Sequence, residues 1–544
     1  MPSERSLFPH PFFFWFGCAL ITAGVLSHGP MLLMGQHTHW RLAGMPMTAG
    51  MLAGMALIPV GLALSCHGLL PPGRGKADAQ ASALARGFHV GGGVALTGEH
   101  WKLVVVLIVT LAVDVMKPAT LGFVMPGLSA EYGLPRSEAS LLALLALTGT
   151  AIGSLAWGRI ADRSGRRAAI LLSALMFIGT SICGAMPSFG WNLAMCFLMG
   201  ASAGGLLPIT FTLMAETVPA RHRGWLLVML GGVGTSAGYM IAAKAAELLE
   251  PAFSWRALWL LGLPTGAVII VLNRFIPESP SFLAEVGRHA EASAVLRRFG
   301  AVRDATDGES MPASEAASGR GMRQLFRGAH APITWALTVC GIGWGLVNFG
   351  FVLWLPANLT KLGVDASAVS TLLARSALLA LPGIALVILL YQRWSSVKAL
   401  MLFIAATAGA LLFFGALAAG GLHSNALTVF ATATLLVAVS GVIAMLIPYA
   451  AEIYPVKLRG SGSGLIAASS KLGGILAAAL ALASFFDHFA LSAVAVAVPM
   501  LASVAMLWRH GVETRGVGLE DIQREIGARG PVTELHRPAG DGAC

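Results

Sequence analysis

The chain has 544 residues, of which 56% are hydrophobic and only 11% are charged, and its mean hydropathy is +0.75. Soluble domains carry about 25% charged residues, so this composition excludes a set of aqueous globules and indicates an integral membrane protein. The net charge of +10 comes from basic residues in short loops, which excludes nucleic acid and indicates the anionic surface of a lipid bilayer as the partner. The six cysteines form no CxxC pair, and we predict no metal and no cofactor.

Fourteen apolar runs are long enough to span a bilayer, whose core of about 30 Å needs about 20 apolar residues per helix. They predict an all-α integral membrane protein with about 14 transmembrane helices. Arg5 before the first run leaves a secretory signal open, although no small-x-small cleavage site follows it. The runs cover residues 11–33, 45–70, 102–125, 138–157, 168–187, 190–215, 224–246, 254–275, 332–356, 367–391, 398–418, 425–449, 461–484 and 489–508.

Basic residues concentrate in every second loop. The loop at 157–168 carries four arginines, and the loops at 216–223, 392–398 and 452–459 carry two Lys or Arg residues each. The positive-inside rule places these loops, both termini and the long 277–330 segment in the cytoplasm. We therefore predict a multi-pass protein of the bacterial inner membrane.

An internal repeat divides the chain into two halves. The pattern E-x-x-P-x-x-x-R-G occurs at 216–224 and again at 452–460. A weaker pair lies at 158–167 and 392–398, separated by nearly the same length of chain. A repeat of this kind indicates two similar helical units that were joined in one chain.

Three motifs resemble the major facilitator superfamily, over roughly residues 101–522. The string G-x-x-x-D-R-x-G-R-R at 158–167 is that superfamily's most specific motif. The string P-E-S-P at 277–280 resembles the P-E-S-P-R-[WF]-L of sugar porters and aromatic-acid symporters, although Ser281 stands in place of its arginine. The string E-T-R-G at 513–516 resembles the tail motif of the same families.

The resemblance implies the major facilitator fold, in which two six-helix bundles contain twelve core transmembrane helices, and it implies a transporter and not an enzyme. The segment 1–75 lies outside the resemblance and predicts an extra two-helix hairpin packed against the outside of one bundle. The predicted domains are the hairpin (1–75), a cytoplasmic linker (76–100), a first bundle (101–276), a central cytoplasmic loop (277–330), a second bundle (331–508) and a cytoplasmic tail (509–544).

Residues at the cytoplasmic helix ends are the candidate conformational gate. The resemblance implies that they latch the two bundles together and close the cytoplasmic side, without binding substrate. The four arginines at 157–168 also fit a role in topology alone. The candidate gate residues are Gly158, Asp162, Arg163, Gly165, Arg166, Arg167, Glu216, Arg223, Glu452 and Arg459.

Charges at membrane depth are the candidate transport residues, because each costs about 2.5–3.5 kcal/mol on insertion scales. Asp114 precedes G-F-x-x-P and Lys471 precedes L-G-G-I, which resembles the first and eleventh helices of aromatic-acid symporters. We predict that Lys471 binds a substrate carboxylate, with Arg375 on the opposite wall. Trp344 and Asn348 are further candidate substrate-binding residues. The alternative for Lys471 is a packing charge that backbone carbonyls satisfy.

The coupling hypothesis depends on an absent arginine. The related families have a basic residue in the fourth core helix where this chain has Cys196. Lys117 lies at position i+3 from Asp114, and side chains at this spacing can pair on one helix. We predict that Asp114 is the proton site and that Lys117 replaces the missing arginine. A purely structural ion pair between Asp114 and Lys117 is the alternative.

Two local patterns carry expectations of their own. Residues 279–300 alternate apolar and basic side chains at helical spacing and predict one amphipathic helix on the cytoplasmic leaflet. Residues 301–320 have a composition typical of disorder. In the hairpin, His37 and His39 beside a methionine run leave a copper site as an open alternative to ordinary apolar filling.

The sequence as a whole predicts a secondary active transporter that couples protons to a small organic anion, an aromatic or other carboxylate, by alternating access. A sugar porter, a drug–proton antiporter and a non-transporting sensor of the same fold stay open as alternatives, and so do the coupling ion and the direction of transport. The sequence lacks a Gly-rich phosphate loop, HExxH and a Ser/His/Asp set, which excludes an ATP-driven pump. We expect a monomer whose partners are its substrate, protons and lipid.

Overall fold

The computed structural model describes residues 10–69, 95–300, 325–361, 365–419, 425–454, 456–515 and 519–529. Within these ranges the chain is helical, and fourteen helices are long and apolar enough to cross a membrane. The prediction of an all-α membrane protein with about fourteen spans is confirmed. The spans are α1 (Pro11–Thr38), α2 (Ala49–Leu69), α3 (Gly98–Tyr132), α4 (Ser137–Ala161), α5 (Arg166–Ala185), α6 (Phe189–Thr217), α7 (Arg221–Phe253), α8 (Arg256–Phe275), α9 (Gly328–Thr360), α10 (Ser367–Arg393), α11 (Ser396–Ala419), α12 (Ala426–Ile453), α13 (Gly462–Leu482) and α14 (Phe489–His510).

The spans form two six-helix bundles, α3–α8 and α9–α14, with α1 and α2 outside them. The bundles meet where α7 packs on α10 and α12, α4 packs on α13, and α3 packs on the second half of α9. We call the end of the molecule that carries the loops at 164–166, 217–220 and 393–396 the basic end, and the opposite one the far end. Each bundle therefore brings cavity-facing helices to a common interface.

Two spans are interrupted near the middle of the molecule. Span α6 consists of helices Phe189–Ala203 and Leu206–Thr217, separated at two glycines. Span α9 consists of helix Ala331–Leu346, a π-helical turn Val347–Val352 and helix Leu353–Lys361. A π-turn inside a longer helix widens the backbone locally, and such turns occur frequently at functional sites.

The hairpin packs on the first bundle, at α5. Ile21 of α1 and Ile58 of α2 lie against Gly179 of α5. This is the position on the outside of one bundle that the sequence predicts. Among the described residues no group of three or more His, Cys, Asp or Glu side chains could hold a metal, so the copper alternative gains no support from the described part of the hairpin.

The turn between α1 and α2 is bound to the far end of the first bundle. The backbone N–H groups of Leu42 and Ala43 donate to Glu131 Oε1 over 2.8 and 3.0 Å. Glu131 is also paired with Arg256 of α8 at 2.6 Å, and both side chains are almost fully buried. Trp40 Nε1 donates to Ala252 O at the end of α7 over 3.0 Å. These contacts fix the hairpin to α3, α7 and α8 simultaneously.

The segment after α8 differs from the single amphipathic helix that we predict. It forms two short helices, Pro280–Glu285 and His289–Arg298, because the chain turns at Gly287 with φ of +77°. The second helix packs on the start of α3, where Arg298 Nε donates to Glu99 over 2.7 Å. The expectation of one continuous helix is therefore wrong. Residues 76–94 of the predicted linker and the 301–320 segment lie outside the described residues.

Candidate functional site

Asp114 lies near the middle of α3, at the face of the first bundle that meets the second. The helix begins at Gly98, so a rise of 1.5 Å per residue places Asp114 about 24 Å from the basic end. Its side chain is 5% exposed, and Oδ1 has no hydrogen-bond partner. The charged group that acts on it is Lys471 of α13, in the other bundle. A buried carboxylate oxygen without a partner is costly, which makes Asp114 a candidate site residue.

Lys471 lies at the same depth as Asp114. The helix that contains span α13 begins before the span, at Val456, which places Lys471 about 22 Å from the basic end. The side chain is partly buried, and Nζ lies 5.9 Å from the centroid of the Phe349 ring on α9. No ion pair joins Lys471 to Asp114 directly, so the two charges attract each other across the bundle interface without contact. A group with its own negative charge could therefore lie between them.

Phe349 closes the space between the bundles. It lies in the π-turn of α9, and its ring packs edge-to-face on Trp344 at 5.8 Å. Trp344 Nε1 donates to Val439 O of α12 over 2.9 Å, so its polar atom is used within its own bundle. Asn348 is half-buried on the same turn. Phe349 lines a cavity of about 10 Å³, room for no more than one water, together with Leu353, Pro118, Leu121, Ala143, Ala146, Leu147, Thr150, Met199, Gly200 and Ala203.

Several buried polar atoms on the interface helices lack hydrogen-bond partners, and three of these atoms belong to large side chains that the sequence analysis does not name. They are the hydroxyl of Tyr239 on α7, and Trp354 Nε1 and Asn358 Nδ2 on α9. Trp354 and Asn358 stand at positions i and i+4 and therefore lie on one face of their helix. Buried polar groups are normally satisfied, so these atoms are ready to bind a polar ligand or water. Their spacing is a signal that a search of the sequence could have used.

The structure does not bring Lys117 to Asp114, and the predicted pairing within α3 is wrong. Lys117 is 1% exposed and points into the first bundle, where Nζ donates to Phe177 O over 3.3 Å. The ammonium also lies 5.4 Å from the centroid of the Phe177 ring. Its charge acts on Cys183 and Cys196. Lys117 therefore places a cation beside Cys196, but this cation is not the partner of Asp114.

Arg375 is also not where the sequence predicts it. Its side chain is exposed and lies in an apolar groove between α10, α11 and α12. On α10, Arg375 is about two and a half helical turns from Ile384, which faces α7 of the first bundle. Arg375 therefore lies on the opposite face of α10 from the bundle interface. It does not form the wall facing Lys471.

At the basic end of the first bundle, Glu278 organises the turn between α4 and α5. Gly165 has φ of +98°, and a Cβ there would lie 2.3 Å from Glu278 Oε2, so the turn needs glycine. Glu278 Oε1 accepts the backbone N–H of Arg166 over 2.7 Å, at the start of α5, where the helix dipole favours an anion. Burial raises the pKa of Glu278. Ser279 donates to Glu216 at the end of α6, and Arg166 lies 3.7 Å from Glu216.

The second bundle repeats this arrangement. Glu513 Oε1 accepts the backbone N–H of Ser396 over 2.9 Å, at the start of α11. Burial alone would raise the pKa of Glu513, but hydrogen bonds from Ser395, Ser396 and nearby backbone lower it. Thr514 Oγ1 donates to Glu452 over 2.6 Å, as Ser279 does to Glu216. Glu278 and Glu513 stand at corresponding positions of the two halves, so alignment of the halves could have identified both as caps.

The gate residues of the two bundles make different contacts. Arg166 pairs with Glu216 inside the first bundle, and Glu216 also accepts a hydrogen bond from Ser279 just after α8. Glu452 binds Tyr391 of its own bundle at 3.0 Å and also faces Gly224 of α7 in the first bundle. The other described side chains of the set lie at the same end: Arg167 Nε donates to Asn273 O over 3.1 Å, Arg163 is exposed, and Gly158 and Arg223 are half-buried. The side chains of Asp162 and Arg459 lie outside the described ones.

Comparison with known proteins decides the family. The model of the Major Facilitator Superfamily matches residues 103–478. The chain belongs to this superfamily. It is 28% identical over 433 residues to the niacin transporter NiaP of Acinetobacter baylyi, covering 78% of this chain and 96% of that one. It is 26% identical over 400 residues to the 4-hydroxybenzoate transporter PcaK of Pseudomonas putida, covering 70% of this chain and 86% of that one.

A solved structure of this superfamily has the same fold. The proton:xylose symporter XylE bound to 6-bromo-6-deoxy-D-glucose superposes with a TM-score of 0.62 at 16% identity, covering 79% of this chain and all of that one. The identity is low, so the likeness extends to the fold alone. Together with the fourteen spans, these relatives identify the chain as a multi-pass membrane transporter of the Major Facilitator Superfamily and not an enzyme. The predictions of family and fold class are confirmed.

Proposed function

We propose that this transporter carries a small aromatic carboxylate together with a proton, by alternating access. The observation that carries the proposal is the pair Asp114 and Lys471, which lie at one depth on opposite bundles and attract each other without contact. The aromatic ring of Phe349 beside Lys471 supports an aromatic substrate. The names of the relatives, transporters of niacin and of 4-hydroxybenzoate, point to the same class.

The coupling mechanism follows from competition for one cation. In the substrate-free state the Lys471 ammonium stabilises the carboxylate of Asp114 across the interface. A substrate carboxylate that binds Lys471 neutralises this cation, and a buried carboxylate without a cation favours its protonated form. Asp114 then takes up a proton as the substrate binds. The loaded site is nearly neutral, so the bundles can close around it and reopen on the other side.

The remaining assignments follow from the charge distribution and the packing. We propose that the basic end is cytoplasmic, with both termini on that side of a bacterial inner membrane. The domain limits predicted from the sequence, the role of the basic-end residues as a gate and a monomeric state are part of the same proposal. Tyr239, Trp354 and Asn358 join Lys471, Phe349 and Asn348 as substrate-contacting candidates, because their buried polar atoms lack partners.

The test uses purified protein in proteoliposomes, with nicotinate as the probe. Asp114→Asn is expected to keep counterflow of nicotinate and to lose accumulation driven by a pH gradient. Lys471→Met is expected to lose both, because the charge that binds the carboxylate is gone. Lys102→Met is the matched control, since Lys102 is an exposed lysine at the start of α3 that pairs with Glu99.

A second comparison tests the charge of the substrate. Nicotinamide has the same ring as nicotinate but no carboxylate, so it should not compete for uptake at comparable concentration. Accumulation of nicotinate by the Asn variant would place proton coupling at another residue. Normal nicotinate uptake by Lys471→Met, or equal competition by nicotinamide, would rule out carboxylate recognition by Lys471.

A further inference from the structure

A large groove on the described part of the molecule faces the membrane. It has a volume of about 950 Å³ and lies between α10, α11 and α12. Span α11 packs on α10, α12 and α14, all of the second bundle. The bundle interface is made by other helices or by other faces of α10 and α12. The groove therefore opens toward lipid and not toward the transport pathway.

One charged residue, Arg375, lies in this lining, whose other members are apolar except for Thr434. Leu378, Leu379 and Phe430 at the rim are each about 60–65% exposed, as lipid-facing residues are. The helix of α10 begins at Ala366 at the far end, which places Arg375 about 13 Å below that end, inside the hydrocarbon layer. No ion pair joins Arg375 to a residue of the described ranges. A lone arginine inside the hydrocarbon layer is costly unless a partner compensates its charge.

The direction of the side chain suggests what compensates this cost. Side chains on a helix lean toward its N-terminus, and the N-terminus of α10 is at the far end. The guanidinium of Arg375 can thus extend toward the headgroups of the far-end leaflet while its stem stays in the groove. Guanidinium binds phosphate through two parallel hydrogen bonds. Below it, Phe403 and Val437 offer an apolar surface that descends toward the midplane.

We propose that this groove binds one anionic phospholipid of the far-end leaflet. The phosphate pairs with Arg375, and an acyl chain lies along the apolar wall of α12 and α11. Charge complementarity selects the lipid: Arg375 supplies the positive charge that an anionic headgroup needs, and no carboxylate lines the groove among the described residues. The site is separate from the substrate site, because Arg375 lies on the face of α10 opposite the bundle interface.

Native mass spectrometry of the purified full chain, with equal amounts of phosphatidylglycerol and phosphatidylethanolamine, tests the proposal. The wild type should retain one phosphatidylglycerol in preference. Arg375→Gln should reduce this retention by about tenfold, the effect expected for loss of a charged hydrogen-bonded pair. Lys244→Gln is the matched control, because Lys244 is a far-end cation of α7 that already pairs with Glu247 at 2.6 Å.

Two further arms separate a bound lipid from a bound headgroup. Ala433→Trp fills the groove and keeps Arg375, so it should also displace the lipid. Glycerol phosphate, which has the phosphate without the acyl chains, should not displace it. Equal retention by Arg375→Gln and the wild type would overturn the proposal. So would retention by Ala433→Trp, displacement by glycerol phosphate, or an absence of preference for the anionic lipid.

Discussion

At the scale of single residues, the two lysines near Asp114 have different physical situations. Lys471 faces a carboxylate across the interface, whereas Lys117 is sealed in the first bundle with one 3.3 Å hydrogen bond to Phe177 O. Desolvating an ammonium costs several kcal/mol, and one hydrogen bond to a neutral carbonyl returns only part of it. Lys117 therefore contributes little to stability, and coupling does not need its charge.

Lys117→Met tests this reading. Methionine has a similar length and no charge to desolvate, so the thermal unfolding midpoint of the purified protein should stay the same or rise. The pH optimum of nicotinate uptake should not move, whereas a carboxylate that paired with Lys117 would hold its proton more tightly and shift the optimum upward. Asp114→Asn, measured by counterflow because it is expected to lose accumulation, serves as the positive control for a change in pH dependence. An upward shift of the pH optimum in the methionine variant would support the hypothesis that Asp114 pairs with Lys117.

The two caps at the basic end predict opposite responses to acid. Hydrogen bonds hold the pKa of Glu513 below its ordinary value, so its contribution to stability is present above that value and is lost as pH falls through the folded pKa. Burial raises the pKa of Glu278, so the folded state favours its protonated form and its contribution grows as pH falls. The difference in unfolding midpoint between wild type and Glu513→Gln should therefore shrink between pH 7 and pH 4. The midpoint of the wild type minus that of Glu278→Gln should rise over the same pH range. If both differences changed in the same direction as pH falls, the assignment of the two pKa shifts would be contradicted.

At the scale of elements, the extra hairpin is a brace for the first bundle. Its turn donates two backbone hydrogen bonds to the buried Glu131 and one indole hydrogen bond to the end of α7. Deletion of the segment 1–75 should lower the unfolding midpoint and leave the half-saturation concentration of nicotinate within about twofold, because the hairpin lies outside the interface. Trp40→Phe should lower the midpoint by less, having lost about 1 kcal/mol of hydrogen bonding. Trp508→Phe is the control, because Trp508 is 82% exposed and its replacement should leave the midpoint unchanged. A changed substrate preference in the deletion variant would contradict the role of the hairpin as a brace.

The sequence predicts the spans well and the local breaks poorly, for a physical reason. Hydropathy and loop charge depend on composition, so fourteen spans and two bundles can be read directly from the chain. The π-turn of α9 depends on packing, since Gly350 faces Phe486 of the α13–α14 connection. The direction of Lys117 depends on the space beside Gly262 of α8, which its ammonium fills. Contacts between helices that are distant in sequence determine both the π-turn and the direction of Lys117. Residue spacing along a single helix therefore cannot predict either of them.

At the scale of the whole molecule, the bundles touch at both ends. On the far-end side of the central cavity Gly122 of α3 meets Leu353 of α9, and at the far end Ser370 donates to Glu250 over 3.5 Å. At the basic end Gly224 of α7 faces Glu452 of the second bundle. The cavity beside Phe349 is too small for a carboxylate with a ring. Substrate entry therefore requires separation of the bundles at one end.

Closure of the far end should depend on the absence of a side chain at Gly122. A Cβ at this position would lie 2.6 Å from Leu353 O, a backbone atom that cannot rotate away. Gly122→Val should hold α3 and α9 apart and keep the far end open. A cysteine introduced at Leu121, which lines the central cavity, should then react faster with a membrane-impermeant maleimide, and accumulation of nicotinate should be lost. Gly409→Val is the matched control, because nothing lies within 4 Å of a Cβ there. Equal labelling of Leu121→Cys in the Gly122→Val and Gly409→Val backgrounds would contradict this prediction. The contact between α3 and α9 could then open without exposing the cavity, so other residues would have to close the far end.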